Sequence, residues 1–254
     1  MPPMDKGVID KAMPTTTNKQ RLLTQLFGTL TRGARQPAEP EPESRPVLEQ
    51  FVYAICREGV TRELAERAFR NLRERFFDWN EVRVSSTREL AEALDCLPDA
   101  ENRAQRLVDF LQEVFETTFS FDLESLQKKG VKVAAKQLAR YQAANDYAVA
   151  WVIQQSLGGH AIPLDTPTLR VLRRLGLIEG EQDDLEGLRA SLEHQIPKAR
   201  GALFSDLISA LADDICQEDE PNCPACQLNA LCPSAQDVKS VAVESEYLNR
   251  TKPR

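Results

Sequence analysis

The chain has 254 residues, 42% of them hydrophobic and 28% charged, which is enough to bury one large or two smaller cores. Its apolar stretches, such as AVAWVI from Ala148, fall far short of the roughly 18 residues a membrane span needs, and the N-terminus has no cleavable apolar segment, so a cytoplasmic protein without membrane contact is expected. A formal net charge of −7 and an isoelectric point of about 5.1 lack the basic footprint that nucleic-acid binding ordinarily uses.

Residues 1–17 have no apolar periodicity and read as a disordered tail. From Asn18, Leu22, Leu23, Leu26, Phe27 and Leu30 share one helical face, so an amphipathic helix is expected over 18–31. Residues 32–46, RGARQPAEPEPESRP, are rich in proline and charge and read as a linker. VLEQFVYAICREG and TRELAERAFRNLRERF follow as two helices turning at Gly59, with Thr61 as N-cap and Glu63 in the first turn. SSTRELAEALDCL, ENRAQRLVDFLQEVF and DLESLQKKG continue the helical pattern, and EVRV at 81–84 is too short and isolated to argue for a strand. Lys128, Lys132, Lys136 and Arg140 recur at four-residue spacing, although Gly130 interrupts them. In LDTPT, Asp165 can accept the free amide of Thr168 while Pro167 sits harmlessly in the first turn, so a helix starts there on local grounds alone. His160 and His194 are too few for a histidine metal site and read as structural.

Cys216, Cys223, Cys226 and Cys232 fall within seventeen residues, in a polar loop where free thiols have no packing reason to recur. In a reducing compartment such clustering favours metal over disulfides. A tetrahedral zinc site usually pairs two short knuckles, and this loop has one flanked by longer arms; four thiolates around an iron–sulfur cube are the other solution. Spacing alone leaves both open. Cys56 and Cys96 lie on apolar faces and read as core thiols.

The six, two and five residues between these cysteines match the gaps of the iron–sulfur motif of the endonuclease III family of DNA glycosylases, which the chain resembles over about residues 18–233. IPLDTPTLRVLRRLGLI is similar to the family segment in which the catalytic aspartate opens a helix, and Asp165 aligns with that aspartate. The resemblance implies an all-α, two-lobed helix-hairpin-helix fold with a C-terminal [4Fe-4S] cluster loop. A helical barrel would span 47–160, and the 18–31 helix would pack on a cluster lobe at 161–235, followed by a tail at 236–254. It further implies base excision repair on double-stranded DNA lying across the cleft, with Cys216, Cys223, Cys226 and Cys232 holding the cluster.

Where the family carries a lysine that attacks the sugar, eighteen residues before the aspartate, this chain has Tyr147. Without an amine there is no Schiff base, so base removal without coupled strand cleavage is expected, with Tyr147 either functional or simply packed. The family's glycine-rich hairpin corresponds here to Gln142, Ala143, Ala144 and Asn145; Asn145 can adopt the left-handed conformation, Ala143 cannot cheaply, and Asp146 adds negative charge where phosphate approaches. Cys56 falls near the glutamine that relatives use to fill the gap left by a flipped base. Glu218, Asp219 and Glu220 stand in the cluster loop where relatives carry basic residues, and Arg170, Arg173, Arg174, Lys198 and Arg200 could supply positive charge instead. A non-catalytic iron–sulfur protein that binds protein or nucleic acid on the same fold is the alternative reading.

Overall fold

The computed structural model describes residues 16–33, 45–178 and 185–235. Most of the stretches expected as N-terminal tail and linker, and all of the C-terminal tail, lie outside the described residues. Thr16 and Thr17 belong to helix α1 (Thr16–Gly33), which is longer at both ends than its apolar stripe required. Arg45, expected in the linker, is packed: it pairs with Glu66 at 2.7 Å, and its guanidinium lies 4.1 Å over the Tyr53 ring. Among the described residues there is no strand, EVRV being the end of helix α4 (Trp79–Val84), and no helix is long and apolar enough to cross a membrane.

The first core is built around α2 (Val47–Arg57). All its residues except Glu49 are buried, as expected of a helix that is apolar around most of its circumference. Phe51 stacks on Phe110 of α6 (Ala100–Thr118) at 3.9 Å, and Tyr53 packs against Phe69 of α3 (Arg62–Arg75) and Trp151 of α8 (Asp146–Gln155). Local chemistry sets the helix starts: Thr61 Oγ1 accepts the Leu64 N–H at 3.2 Å, Asp78 caps α4, and Ser86 with Glu89 forms a capping box on α5 (Thr87–Ala93). Each such cap contributes about 1 kcal/mol. Lys128 closes a 3-10 turn and Gly130 caps α7 (Val131–Leu138), so of the four spaced cations only Lys132 and Lys136 share a helix.

The second core gathers sequence-distant pieces. Leu23, Leu26, Phe27 and Leu30 of α1 pack with α9 (Thr166–Arg174), α10 (Leu185–Gln195), α11 (Gly201–Asp214) and Leu228 from the cysteine loop. Phe27 meets Phe204 at 5.9 Å.

The two cores are tied together at the α2–α3 junction. The Gly59 N–H donates to Asp165 Oδ2 at 2.9 Å, Arg57 Nη2 donates to Ser209 Oγ at 2.8 Å, and Arg62 pairs with Asp206 at 3.8 Å. Gly59 has φ +73°, a left-handed turn that an L side chain adopts only with strain, and that turn aims its amide across the gap.

Candidate active site and cluster loop

Asp165 caps α9, its Oδ1 accepting the Thr168 N–H at 2.9 Å, while Oδ2 takes the Gly59 amide. The carboxylate is thus 7% exposed, with both oxygens in use, at the boundary of the two cores. Tyr147, in the first turn of α8, is buried and stacks on Trp151 at 6.1 Å; burial holds its hydroxyl well above the usual phenol range, opposed by the Arg57 cation and reinforced by Asp165. Asp165 and Tyr147 therefore share one electrostatic neighbourhood.

Two further ionisable groups occupy it that sequence reasoning missed. Arg57, at the C-terminal end of α2, is 3% exposed; its Nη1 donates to the Val60 carbonyl. Asp213 on α11 has its pKa pushed up to about 6, mainly by burial, with Asp165 and Asp214 adding and Arg57 opposing. The one signal for Arg57 was a cation closing the apolar run FVYAIC; Asp213 looked like part of an acidic loop.

A cavity of about 340 Å³ opens between α2, α3, α8 and α11, lined by Tyr53, Trp151, Gln50 and, of this group, by Arg57 but not by Asp165, Tyr147 or Asp213. No lysine lines it. Cys56, expected near the gap-filling position, is fully buried on the core side of α2, and the residue that faces Asp165 is Gly59, which has no side chain to fill anything.

The hairpin before α8 takes a form the sequence did not suggest. Among the described residues only Asp99 and Phe119 are non-glycines with positive φ, and Asn145 sits at φ −126°, so neither Ala143 nor Asn145 is left-handed. Asn145 instead caps α8 through the Ala148 N–H, and its own amide donates to both oxygens of Glu58 at 2.8 and 2.9 Å. Arg106 joins Glu58 at 2.9 Å and reaches the Ala143 carbonyl, with Ala144 half-buried between. The Gln142 N–H donates to Glu113 at 2.7 Å. Carboxylates of the chain itself thus hold donors on this turn, while Arg189 approaches Asp146 at 3.9 Å.

The basic residues expected to supply a DNA face are partly spent inside the fold. Arg170 donates to the carbonyls of Cys216 and Ala212, and Arg174 to those of Cys216, Gln217 and Glu218 and to the Cys216 sulfur at 3.4 Å. Lys198 bonds the Gly158 carbonyl, and Arg200 lies over Phe27. Glu218, Asp219 and Glu220 are exposed. His160 bonds the Glu193 and Ile196 carbonyls, a structural role. Cys56 is a core thiol, whereas Cys96 lies past α5, only half-buried.

Cys216, Cys223, Cys226 and Cys232 carry no disulfide and together line a cavity of about 180 Å³ with Leu175 and Leu211. Burial raises the thiols of Cys226 and Cys232, and the neighbouring sulfurs raise them further. Among the described residues no three His, Cys, Asp or Glu side chains are grouped to hold a single metal ion.

No family model matches the chain. It is 22% identical over 143 residues to an Arabidopsis thaliana protein provisionally named a DNA glycosylase, covering 56% of this chain and 49% of that one, and 33% identical over 91 residues to endonuclease III-like protein 1 of Mus musculus, covering 36% and 29%. The chain thus matches half or less of these relatives' own length. Among solved structures, endonuclease III trapped covalently on DNA superposes with a TM-score of 0.66 at 18% identity, over 89% of this chain and 99% of that one. The chain has the endonuclease III fold. A thermostable thymine-DNA glycosylase, with TM-score 0.63 at 17% identity over 87% and 99% of the two chains, shares it. On this version of the endonuclease III fold, the junction between the cores carries Asp165, Tyr147 and Arg57, and Arg57 also lines the cavity.

Proposed function

We propose that the chain is a DNA glycosylase of base excision repair that removes a damaged or mismatched base from double-stranded DNA without lysine-dependent strand cleavage. The observation that carries this reading is Asp165, a buried carboxylate held against the α2–α3 turn where the two cores meet, with Tyr147 rather than a lysine in its electrostatic neighbourhood. A base flipped from the duplex would bring its sugar to that carboxylate. As the N-glycosidic bond breaks, the Asp165 carboxylate would stabilise positive charge developing on the sugar or help activate water. Tyr147 offers no amine, and burial keeps its hydroxyl protonated, so it shapes the site rather than attacking. Two amides orient the Asp165 carboxylate, one from its own helix and one from the α2–α3 turn.

The four loop thiols line one cavity, and their spacing of six, two and five residues supports a [4Fe-4S] cluster there. When bound, the cluster supplies a covalent clamp on a loop with little apolar core of its own. Cys216, Cys223, Cys226 and Cys232 would hold it, and Arg174 steadies the first of them through its sulfur and carbonyl. Six thiols without a disulfide accord with a reducing compartment such as the cytoplasm.

A non-catalytic binding role on the same fold has one observation in its favour: the Gln142 amide on the hairpin is already held by Glu113. A panel of duplexes carrying oxidised, deaminated, alkylated and mismatched bases, treated with alkali after incubation, separates the two readings. The glycosylase accumulates alkali-labile sites without nicking, and borohydride traps no adduct. No release from any duplex, together with no salt-sensitive DNA binding, would select the binding role instead.

A further inference from the structure

Helix α2 is buried almost throughout and ends at a buried residue, Arg57, so the carbonyls of its last turn need partners from outside the helix. Arg103, on α6 and 8% exposed, supplies them. Its Nη1 donates to the Ile55 carbonyl and, at 3.4 Å, to that of Cys56; its Nη2 donates to the Glu58 carbonyl at 2.6 Å and its Nε to the Pro98 carbonyl at 2.9 Å. A cation at the C-terminal end of a helix also suits the helix dipole. The Glu58 carbonyl belongs to the same peptide group as the Gly59 N–H, which donates to Asp165 Oδ2 at 2.9 Å. That peptide is trans and planar, so its C=O and N–H point in opposite directions, and Arg103 and Asp165 stand at opposite edges of one plane. Neighbouring bonds restrict the plane further: Arg106 and Asn145 hold the Glu58 side chain, and Arg57 holds the Val60 carbonyl.

We propose that Arg103 is a positioning residue for base removal: it fixes the Glu58–Gly59 peptide and, through that plane, the orientation of the Asp165 carboxylate. The task given to Asp165 rests on the glycosylase reading above. Two effects reach the carboxylate. Turning the peptide would pull the Glu58 carbonyl off the guanidinium and the Gly59 amide off Asp165 together, so Arg103 resists that rotation. A cation on the carbonyl also polarises the peptide and strengthens its N–H as a donor.

The test pairs amide hydrogen exchange with single-turnover kinetics in the 254-residue chain. Arg103→Gln keeps a donor but loses the charge and the fork that spans several carbonyls. Relative to Ile208, inside α11, exchange at the Gly59 amide should quicken about tenfold, the order expected when a charge-assisted bond is lost. Base release should slow about tenfold as well, while affinity for the same duplex stays within about twofold, because the loss falls on orientation and not on binding. Arg103→Lys restores the charge without the fork and should lie between the variant and the parent. If Arg103→Gln does not fold, the lysine variant carries the test, at about threefold in both rates. Gly59 exchange that is unchanged in a folded variant, release that does not slow, or release that slows only through lost affinity overturns the proposal. If no duplex in the panel releases a base yet Gly59 exchange quickens, the glycosylase reading falls and the hold of Arg103 on Asp165 stands. If bases are released and neither variant alters the exchange, the positioning role alone falls.

Discussion

Four side chains converge where the two cores meet, and each is held by a different force. Asp165 is fixed by amides, Tyr147 by stacking and Arg57 by a hydroxyl and a carbonyl, whereas Asp213 is set mainly by burial. The raised Asp213 pKa has a consequence for stability. With a folded value of about 6 against an ordinary 3.8, the folded state binds more protons between those limits, so stability falls as pH rises through them and the penalty is fully present above them. Asp213→Asn removes the charge. Melting curves should show it stabilised by about 1 kcal/mol near pH 8, after discounting for its partial exposure, and little changed near pH 4. A gain independent of pH would mean that burial of the charge is not the cause.

At the scale of elements, the turn between α7 and α8 has no glycine and is held by side chains of the chain itself. Glu58 and Arg106 hold it from one side and Glu113 from the other. Glu113→Gln keeps an acceptor for the Gln142 amide and removes a negative charge. It should raise affinity for duplex DNA about fivefold at low salt, the gain shrinking as salt is added. Unchanged affinity would indicate that DNA does not approach this turn. These elements also mark the limit of what was legible from the chain. The Asp165 cap and the cysteine spacing were readable because their partners lie within a few residues, so sequence separation and spatial geometry coincide. Arg57 meets Ser209, 152 positions on, Asn145 meets Glu58 across 87, and Gln142 meets Glu113 across 29. No local pattern encodes such pairs, since they follow from how the cores dock. Asn145, which could have been left-handed, is extended for the same reason: it caps α8 through Ala148 and its amide reaches the distant Glu58.

Across the whole molecule, one contiguous core is joined to a second assembled from the ends of the chain, and the cysteine loop closes that second core through Leu228 and the Arg170 and Arg174 bonds. If the proposed cluster is held here, Cys223→Ser lowers the iron content below about four per chain and cuts folded yield, with loss of a broad visible absorption. One zinc and no iron in the unaltered protein would contradict the cluster assignment. The molecule as a whole presents an ordinary helix cap, Asp165, at the position where chemistry is proposed, so the central claim is that this cap also catalyses. The most direct test is single-turnover base release by Asp165→Asn on whichever duplex the unaltered protein processes. Asparagine caps almost as well as aspartate but carries no charge, so the melting temperature should stay close to that of the parent while release slows by about a thousandfold or more. Release within threefold of the parent rate would leave Asp165 as a cap alone.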